Sequence, residues 1–462
     1  MTKKYSYVPA ALDSSTRGFT LGVRYRKPDA DNKYKVTKVK NAIRIDLIDR
    51  QVYFLRSSKD PSHRLMALDM DEVLDLTFSA NPSLLTKAGF DFAMVNSHSL
   101  PQKYYRDYAH EETKDWPEIV ADSGGFQLST GTSDFLDPKA IVEAQNQICS
   151  IGISLDIPFP ITHVSEVPLL RRAAHTQRLN NEVFKKHKRP GLKLMNVFHG
   201  PNFYLFDKYR EVVEDSSIDR VALGGVRRLD LTSLALRILN ATLKGPKYKQ
   251  YHVLGVSGLE RWVLLCYMAH KNIAKLLTSD SSTYLQCGAT LQAFDPGRLC
   301  YSKSLQMIRP EVEQHQRLFC SCPVCSVLGY TSTMNDRSNP MGFQAAVFHN
   351  LFVGKNYIDE IYELTKLPLG EILKYLSKYS SHGKVQTMRN AMQAVDMALQ
   401  DGLEKAAKKY SPFLLQKEPY SPVRHAGLFK GVNVASKKSL DMRERIGKLL
   451  DKFDRYHGTN SK

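Results

Sequence analysis

Three thiols within six positions, Cys320, Cys322 and Cys325, and an imidazole downstream at His349 make a complete tetrahedral ligand set for a metal ion. Zinc favours thiolate and imidazole ligands, and four protein side chains leave no coordination position for a substrate water. The expected ion is therefore a structural Zn2+, with the chemistry placed elsewhere in the chain. Pro323 sits inside the tight Cys-Ser-Cys-Pro-Val-Cys turn, a spacing that three unrelated cysteines seldom produce. Cys149, Cys266, Cys287 and Cys300 are scattered singly through apolar segments, as in a reduced intracellular protein without disulfides.

A second set of polar residues recurs at the ends of short apolar runs. The runs are Phe92 to Asn96, Ile119 to Asp122, Ile153 to Asp156, Leu194 to His199, Val221 to Gly225, His252 to Val256 and Leu276 to Asp280. Each has the character of a buried parallel strand, and amphipathic stretches such as Pro138 to Ile148, Leu169 to His187 and Leu231 to Leu243 lie between them. Seven such units, with an eighth expected around the zinc segment, predict an α/β protein built on a (β/α)8 barrel. Active sites of such barrels lie at the C-terminal ends of the strands, which assigns Asp122, Asp156, His199, the Gly224-Gly225 pair and Asp280 to one rim. Any one of them alone is accounted for as a helix cap or turn residue. Five converging on one rim are not.

The expected organisation has three parts. Residues 1–90 form an N-terminal arm and a hairpin, since Ala42 to Leu55 alternates apolar and polar residues across Asp49-Arg50. Residues 91–380 form the barrel, with a zinc subdomain inserted at about residues 300–350 and a closing helix near 350–380. Residues 381–462 form a basic helical C-terminal extension. Helices are expected at Tyr357 to Thr365, Leu369 to Ser380, Val385 to Lys409 and Lys437 to Phe453. The 462-residue chain carries a formal charge of +18 and a pI near 9.4. Its cations fall in runs, Lys35 to Lys40, Lys185 to Arg189, Lys244 to Lys249 and Lys437 to Arg445, which points to a polyanionic partner such as a nucleic acid. No stretch approaches the roughly 20 apolar residues that span a bilayer, and the first residues lack a signal-peptide run, so a cytoplasmic protein without membrane partners is expected.

The stretch Asp122-Ser123-Gly124-Gly125-Phe126-Gln127 follows a strand-end carboxylate with two glycines that admit a flat ligand and a ring able to stack on a nucleobase. Taken with the Cys-x-Cys-x-x-Cys set and His349-Asn350-Leu351, it resembles the guanine transglycosylase superfamily, zinc-containing barrel enzymes that exchange guanine in a polynucleotide for a 7-deazaguanine base. The resemblance extends over residues 90–355. It is supported by Asp156-Ile157-Pro158, Leu223-Gly224-Gly225-Val226, Leu254-Gly255-Val256 and Asp280-Ser281-Ser282-Thr283-Tyr284.

The resemblance implies that Asp280 is the nucleophile, attacking C1′ to give a covalent glycosyl intermediate, and that Asp122 is the general acid and base. It implies that Asp156 reads the base's N1 and exocyclic amine, that the Gly225 amide donates to its carbonyl, and that Phe126 and Leu254 cover its two faces. Ser123, Gly124, Gly125, His199, Gly200, Gly224 and Gly255 complete the implied base pocket. Two departures stand out. His199-Gly200 replaces the Gln-Gly of bacterial members, and the Leu-Pro-Thr-Arg stretch with which they grip tRNA is missing after Asp280.

With helices expected after the barrel, the chain most resembles the divergent DNA-guanine transglycosylases of bacterial modification islands and phages. DNA is thus the favoured polymer and tRNA the alternative, with a free 7-deazaguanine base such as 7-cyano-7-deazaguanine as co-substrate. A partner protein or a homodimer is compatible with the same reading. A non-catalytic nucleic-acid-binding subunit is the competing reading, opposed by the presence of both Asp122 and Asp280. A zinc hydrolase is opposed by the saturated Cys3His site.

Overall fold

The computed structural model describes residues 4–9, 19–25, 35–39, 42–46, 50–56, 78–79, 89–97, 117–130, 133–158, 167–227, 229–289, 292–294, 303–304, 320, 322, 325, 340–416 and 437–460. Eight parallel strands form a nearly closed barrel. In chain order they are β1 (Tyr5–Pro9), then β7 (Phe92–Asn96), β8 (Glu118–Asp122), β9 (Ile151–Ile153), β10 (Lys193–Phe198), β11 (Arg220–Leu223), β12 (Gln250–Val253) and β13 (Leu277–Ser281). β1 pairs with β13 in parallel register, Tyr5 opposite Leu277, and lies against β7 on its other side, where Ser6 Oγ donates to Asp91 Oδ2 at 3.3 Å.

The eighth strand thus comes from the N-terminus and not from the zinc segment, where it was expected. Its five residues are separated from the next barrel strand by an inserted five-stranded antiparallel sheet, β3-β4-β5-β2-β6. These strands are β2 (Phe19–Tyr25), β3 (Lys35–Val39), β4 (Ala42–Asp46), β5 (Arg50–Arg56) and β6 (Phe78–Ser79). The hairpin expected over Ala42 to Leu55 is the β4–β5 pair, with Ala42 opposite Leu55. The third strand also sits earlier than expected, at Ile151–Ile153, so that Asp156 lies on the loop that follows.

Alternation along the strands divides the apolar residues into two layers. Met94, Val120, Ile151, Ile153, Met195, Val197 and Ala222 point inward and fill the barrel, while their sequence neighbours join the larger layer between strands and helices. Three of the helices that follow the strands start where a side chain satisfies their first amides. Asp137 accepts from Lys139 N ahead of Pro138–Ile148, Asn202 from Leu205 N ahead of Phe203–Val213, and Asp230 from Thr232 N and Ser233 N ahead of Leu231–Leu243.

The helix expected at Tyr357 to Thr365 is the second half of a 25-residue helix, Pro340–Leu364, whose first half carries His349. The helix expected over Val385 to Lys409 is two, His382–Gln400 and Leu403–Tyr410, broken at Gly402 with a φ of 99°. His382–Gln400 packs on the barrel helices Leu231–Leu243 and Leu259–His270, with Tyr267 Oη donating to Asp396 and Lys384 paired with Glu260. The last helix, Lys437–Asn460, packs on Val167–His187 through a buried row of Ile446, Leu449, Leu450 and Phe453. The C-terminal helices therefore wrap the barrel rather than project from it.

Candidate active site and metal centre

On each barrel strand the residue two places beyond an inward apolar side chain faces the same axis. Val120 is followed in this way by Asp122, Val197 by His199 and Ala222 by Gly224. Parallel register sets the strands side by side, with Asn96 opposite Asp122 and His252 opposite Thr278, two residues before Asp280. The rim expected from the strand ends is thus assembled by pleat and register.

Three carboxylates dominate it. Asp122 is pushed up to about 7, first by burial and then by the negative charges of Asp156 and Asp280, against the amides of Ser123 and Gly124 that favour its ionised form. Asp156 is 4% exposed; its Oδ1 accepts from Ser123 Oγ at 2.7 Å and its Oδ2 from His199 Nε2 at 2.9 Å. A carboxylate oxygen only accepts, so His199 donates through Nε2–H, and among the described residues its buried Nδ1 has no partner. Gly125 passes so close that a Cβ there would meet the Asp156 carbonyl oxygen and Oδ1, both at 2.5 Å. Asp280 is 8% exposed, and its Oδ1 accepts from Gly255 N at 2.7 Å and His252 Nε2 at 3.1 Å.

The other expected pocket residues divide. Gly224 packs against the His199 ring, Gly225 is exposed at the rim, and Leu254 lies half-buried on top of the barrel's interior cluster. Gly200 turns its carbonyl away, to accept from Nε of the buried Arg237 at 2.8 Å. Phe126 lies in the short helix Gly125–Thr130, and its side chain is outside the described residues. The sequence reasoning missed His252 and Thr278, although the spacing His252-x-Leu254 and Thr278-x-Asp280 puts both on the inward faces of their strands. It also missed Tyr209, whose ring stands edge-on to His199 with centroids 5.4 Å apart.

Cys320, Cys322, Cys325 and His349 do come together, with their ligating atoms all within 4.8 Å of one another. His349 Nδ1 lies 3.6, 3.6 and 3.2 Å from the three sulfurs in order. Nε2 donates to the Phe294 carbonyl oxygen at 2.7 Å, which leaves the Nδ1 lone pair aimed at the thiols. The Cys322 thiol is pushed up to about 12, chiefly by its hydrogen bond with Cys320, with burial and the Cys320 charge adding to it. A divalent cation relieves that crowding, so the donor set fits a metal ion bound by four protein ligands. Next to it, Asn350 accepts from Phe294 N at 2.7 Å and donates to the Gln292 carbonyl oxygen at 2.9 Å, tying the strand after β13 to the helix that holds His349. Within the expected zinc subdomain the structure also describes the strand Lys303–Ser304 and the start of the helix Pro340–Leu364, and the remainder lies outside the described residues.

No family model matches the chain. Over 264 residues it is 27% identical to a tRNA-guanine(15) transglycosylase of Methanococcus aeolicus, a match that covers 54% of this chain and 37% of that protein. The chain therefore spans well under half the length of that relative.

Proposed function

We propose that this chain, a relative of the guanine transglycosylases, exchanges guanine in a polynucleotide for a free 7-deazaguanine base. The observation that carries the reading is the rim itself. Asp122, held at about 7 by burial and by the charges of Asp156 and Asp280, is suited to give a proton and then take one back. In the first half-reaction Asp280 attacks C1′ and the C1′–N9 electron pair leaves on guanine, which receives the Asp122 proton. In the second, the incoming base gives a proton to Asp122 and displaces Asp280. Two inversions at C1′ return the new base to the original face. Asp156, fixed by Ser123 and His199, reads the N–H edge of the base, with the Gly225 amide at its carbonyl and Phe126 and Leu254 over its faces.

Cys320, Cys322, Cys325 and His349 hold a structural zinc ion that fastens the segment after β13 to the barrel. DNA is the proposed polymer, because Asp280 is followed by Ser281-Ser282-Thr283 in place of a bacterial tRNA grip and the elements described beyond residue 364 are helices. A guanine stacked in duplex must then be flipped out, or single strands taken, to reach the rim. The name of the Methanococcus relative favours tRNA as the second reading.

The test is incorporation of radiolabelled guanine into matched tRNA, single-stranded DNA and duplex DNA, with Asp280→Asn as control. Label in DNA that is lost in the variant supports the full reading. Label only in tRNA keeps the chemistry and overturns the polymer, and no label in any polymer overturns base exchange.

A further inference from the structure

The proposed nucleophile is held by a chain of buried groups that base exchange does not by itself require. His252 is completely buried in β12, and its Nε2–H donates to Asp280 Oδ1 at 3.1 Å, since a carboxylate oxygen can only accept. Its other nitrogen, Nδ1, lies 2.8 Å from Thr278 Oγ1, which in turn receives Gln250 Nε2 at 3.2 Å. Thr278 has one proton to give. Its alternative acceptor, the Tyr251 carbonyl oxygen, is at 3.4 Å, so the shorter contact to Nδ1 is the better bond. The directions then run without conflict from Gln250 to Thr278, to His252, to Asp280. The Gly255 amide adds a second donor to the same Oδ1 at 2.7 Å, and among the described residues no donor reaches Oδ2.

We propose that His252, braced by Thr278 and Gln250, is a positioning residue that fixes the rotation of the Asp280 carboxylate and reserves Oδ2 for attack on C1′. The inference rests on the base-exchange reading and adds to it the residue that aims its nucleophile. Both donors sit on Oδ1, so the carboxylate can neither spin nor exchange its oxygens without breaking two hydrogen bonds, one buried and one partly buried. The Oδ2–C1′ bond forms as the C1′–N9 pair leaves on the base, and the Asp122 proton neutralises that base, so His252 keeps its proton throughout. Its effect is orientation, and a misaligned nucleophile costs on the order of 100-fold in rate.

The experiment measures, in single turnover, the rate at which wild type, His252→Leu, His252→Gln and Thr278→Val form the covalent polymer adduct, together with the KM for free guanine. Glutamine places an amide N–H near the position of Nε2. The expected result is adduct formation slowed about 100-fold in His252→Leu, restored to within about tenfold in His252→Gln, and slowed less in Thr278→Val, with guanine KM unchanged throughout. A merely structural role would lower kcat and raise KM together without rescue by glutamine. If His252→Leu is insoluble, Thr278→Val and His252→Gln decide alone: wild-type rates in Thr278→Val overturn the inference. Adduct formed by wild type and His252→Leu at equal rates also overturns it and leaves base exchange standing. Absence of adduct and label in wild type on every polymer overturns both.

Discussion

At the scale of single residues, the decisive quantity is the protonation of Asp122. A carboxyl group ordinarily loses its proton near 3.9, and this one is raised to about 7 by burial and two neighbouring carboxylates. Formation of the covalent intermediate, which needs the acid form, is expected to slow as pH rises through about 7, while the return half-reaction, which needs the base form, gains. Rapid-quench rates for the two halves check this, and parallel pH profiles would remove Asp122 from both roles. Stability follows the same shift. A raised carboxyl contributes stability that is complete below about 4 and is lost as pH rises through about 7. Asp122→Asn, uncharged at every pH, should therefore melt above wild type at pH 8 and lose that advantage toward pH 4, while its exchange rate falls about 10²- to 10⁴-fold. Gly125→Ala tests the neighbouring carboxylate: its Cβ would displace both the Asp156 carboxylate and its backbone carbonyl, so guanine KM should rise and the melting temperature should fall. An unchanged KM would show that Asp156 does not read the base. The polar strand ends were legible in the sequence because they interrupt apolar runs. His252 was not, because a histidine inside the run Tyr251-His252-Val253 has the pattern of a satisfied core residue until register sets it opposite Thr278.

At the scale of elements, the seven consecutive strands were readable because each is an apolar run followed in the sequence by a segment long enough for a helix. The eighth was not, since Tyr5–Pro9 is short and its neighbours in the barrel, β13 and β7, both lie far along the chain. The C-terminal helix shows a second limit. Its run Lys437 to Arg445 was counted among the cations that point to a polyanionic partner, while the described contacts of the helix are with the barrel. Arg172 bonds Asp451 and Asp454, Tyr456 Oη donates to Asp137 Oδ1 at 2.8 Å, and Lys452 reaches the Asp134 carbonyl oxygen. His457 Nε2 lies 3.0 Å from Asn180 Oδ1, and Asn180 Nδ2 donates to the Leu155 carbonyl oxygen at 2.8 Å, one residue before Asp156. Asn180→Ala is expected to cost about 1 kcal/mol of stability and to raise guanine KM, with polymer affinity unchanged. Denaturation and exchange assays measure the two, and a variant that loses stability alone would confine Asn180 to packing. The metal segment behaves as an element of its own. Structural zinc binding is worth about 10 kcal/mol or more, so Cys322→Ser should yield poorly soluble protein with less than one zinc per chain by elemental analysis. A soluble, active Cys322→Ser would show that the cluster is not a structural zinc site.

At the scale of the whole molecule, the excess of 65 lysines and arginines over 47 aspartates and glutamates was legible, but its geography was not. Two of the four basic runs, Lys185 to Arg189 and Lys244 to Lys249, immediately precede β10 and β12. They therefore lie at the N-terminal ends of the barrel strands, on the face opposite the rim of Asp122 and Asp280. Several of their cations are already engaged there, Lys185 with Asp215 and Glu182, Lys249 with Asp219, and Lys247 with the Thr242 carbonyl oxygen. A polymer presented to the rim should not feel them. Binding should still weaken steeply with salt, because each phosphate neutralised contributes about 0.9 to the log–log slope on duplex and about 0.7 on single strands. The double variant Lys186→Ala, Lys244→Ala is then expected to keep both the wild-type slope and, within about twofold, the wild-type affinity. Filter binding from low to moderate salt measures it. A slope reduced by one or two units would place the polymer on the N-terminal face, out of reach of the carboxylates. The same titration run on guanine exchange should leave KM for the free base flat, since in the proposed reaction the base is neutral and meets the buried carboxylate of Asp156, a contact that releases no counterions.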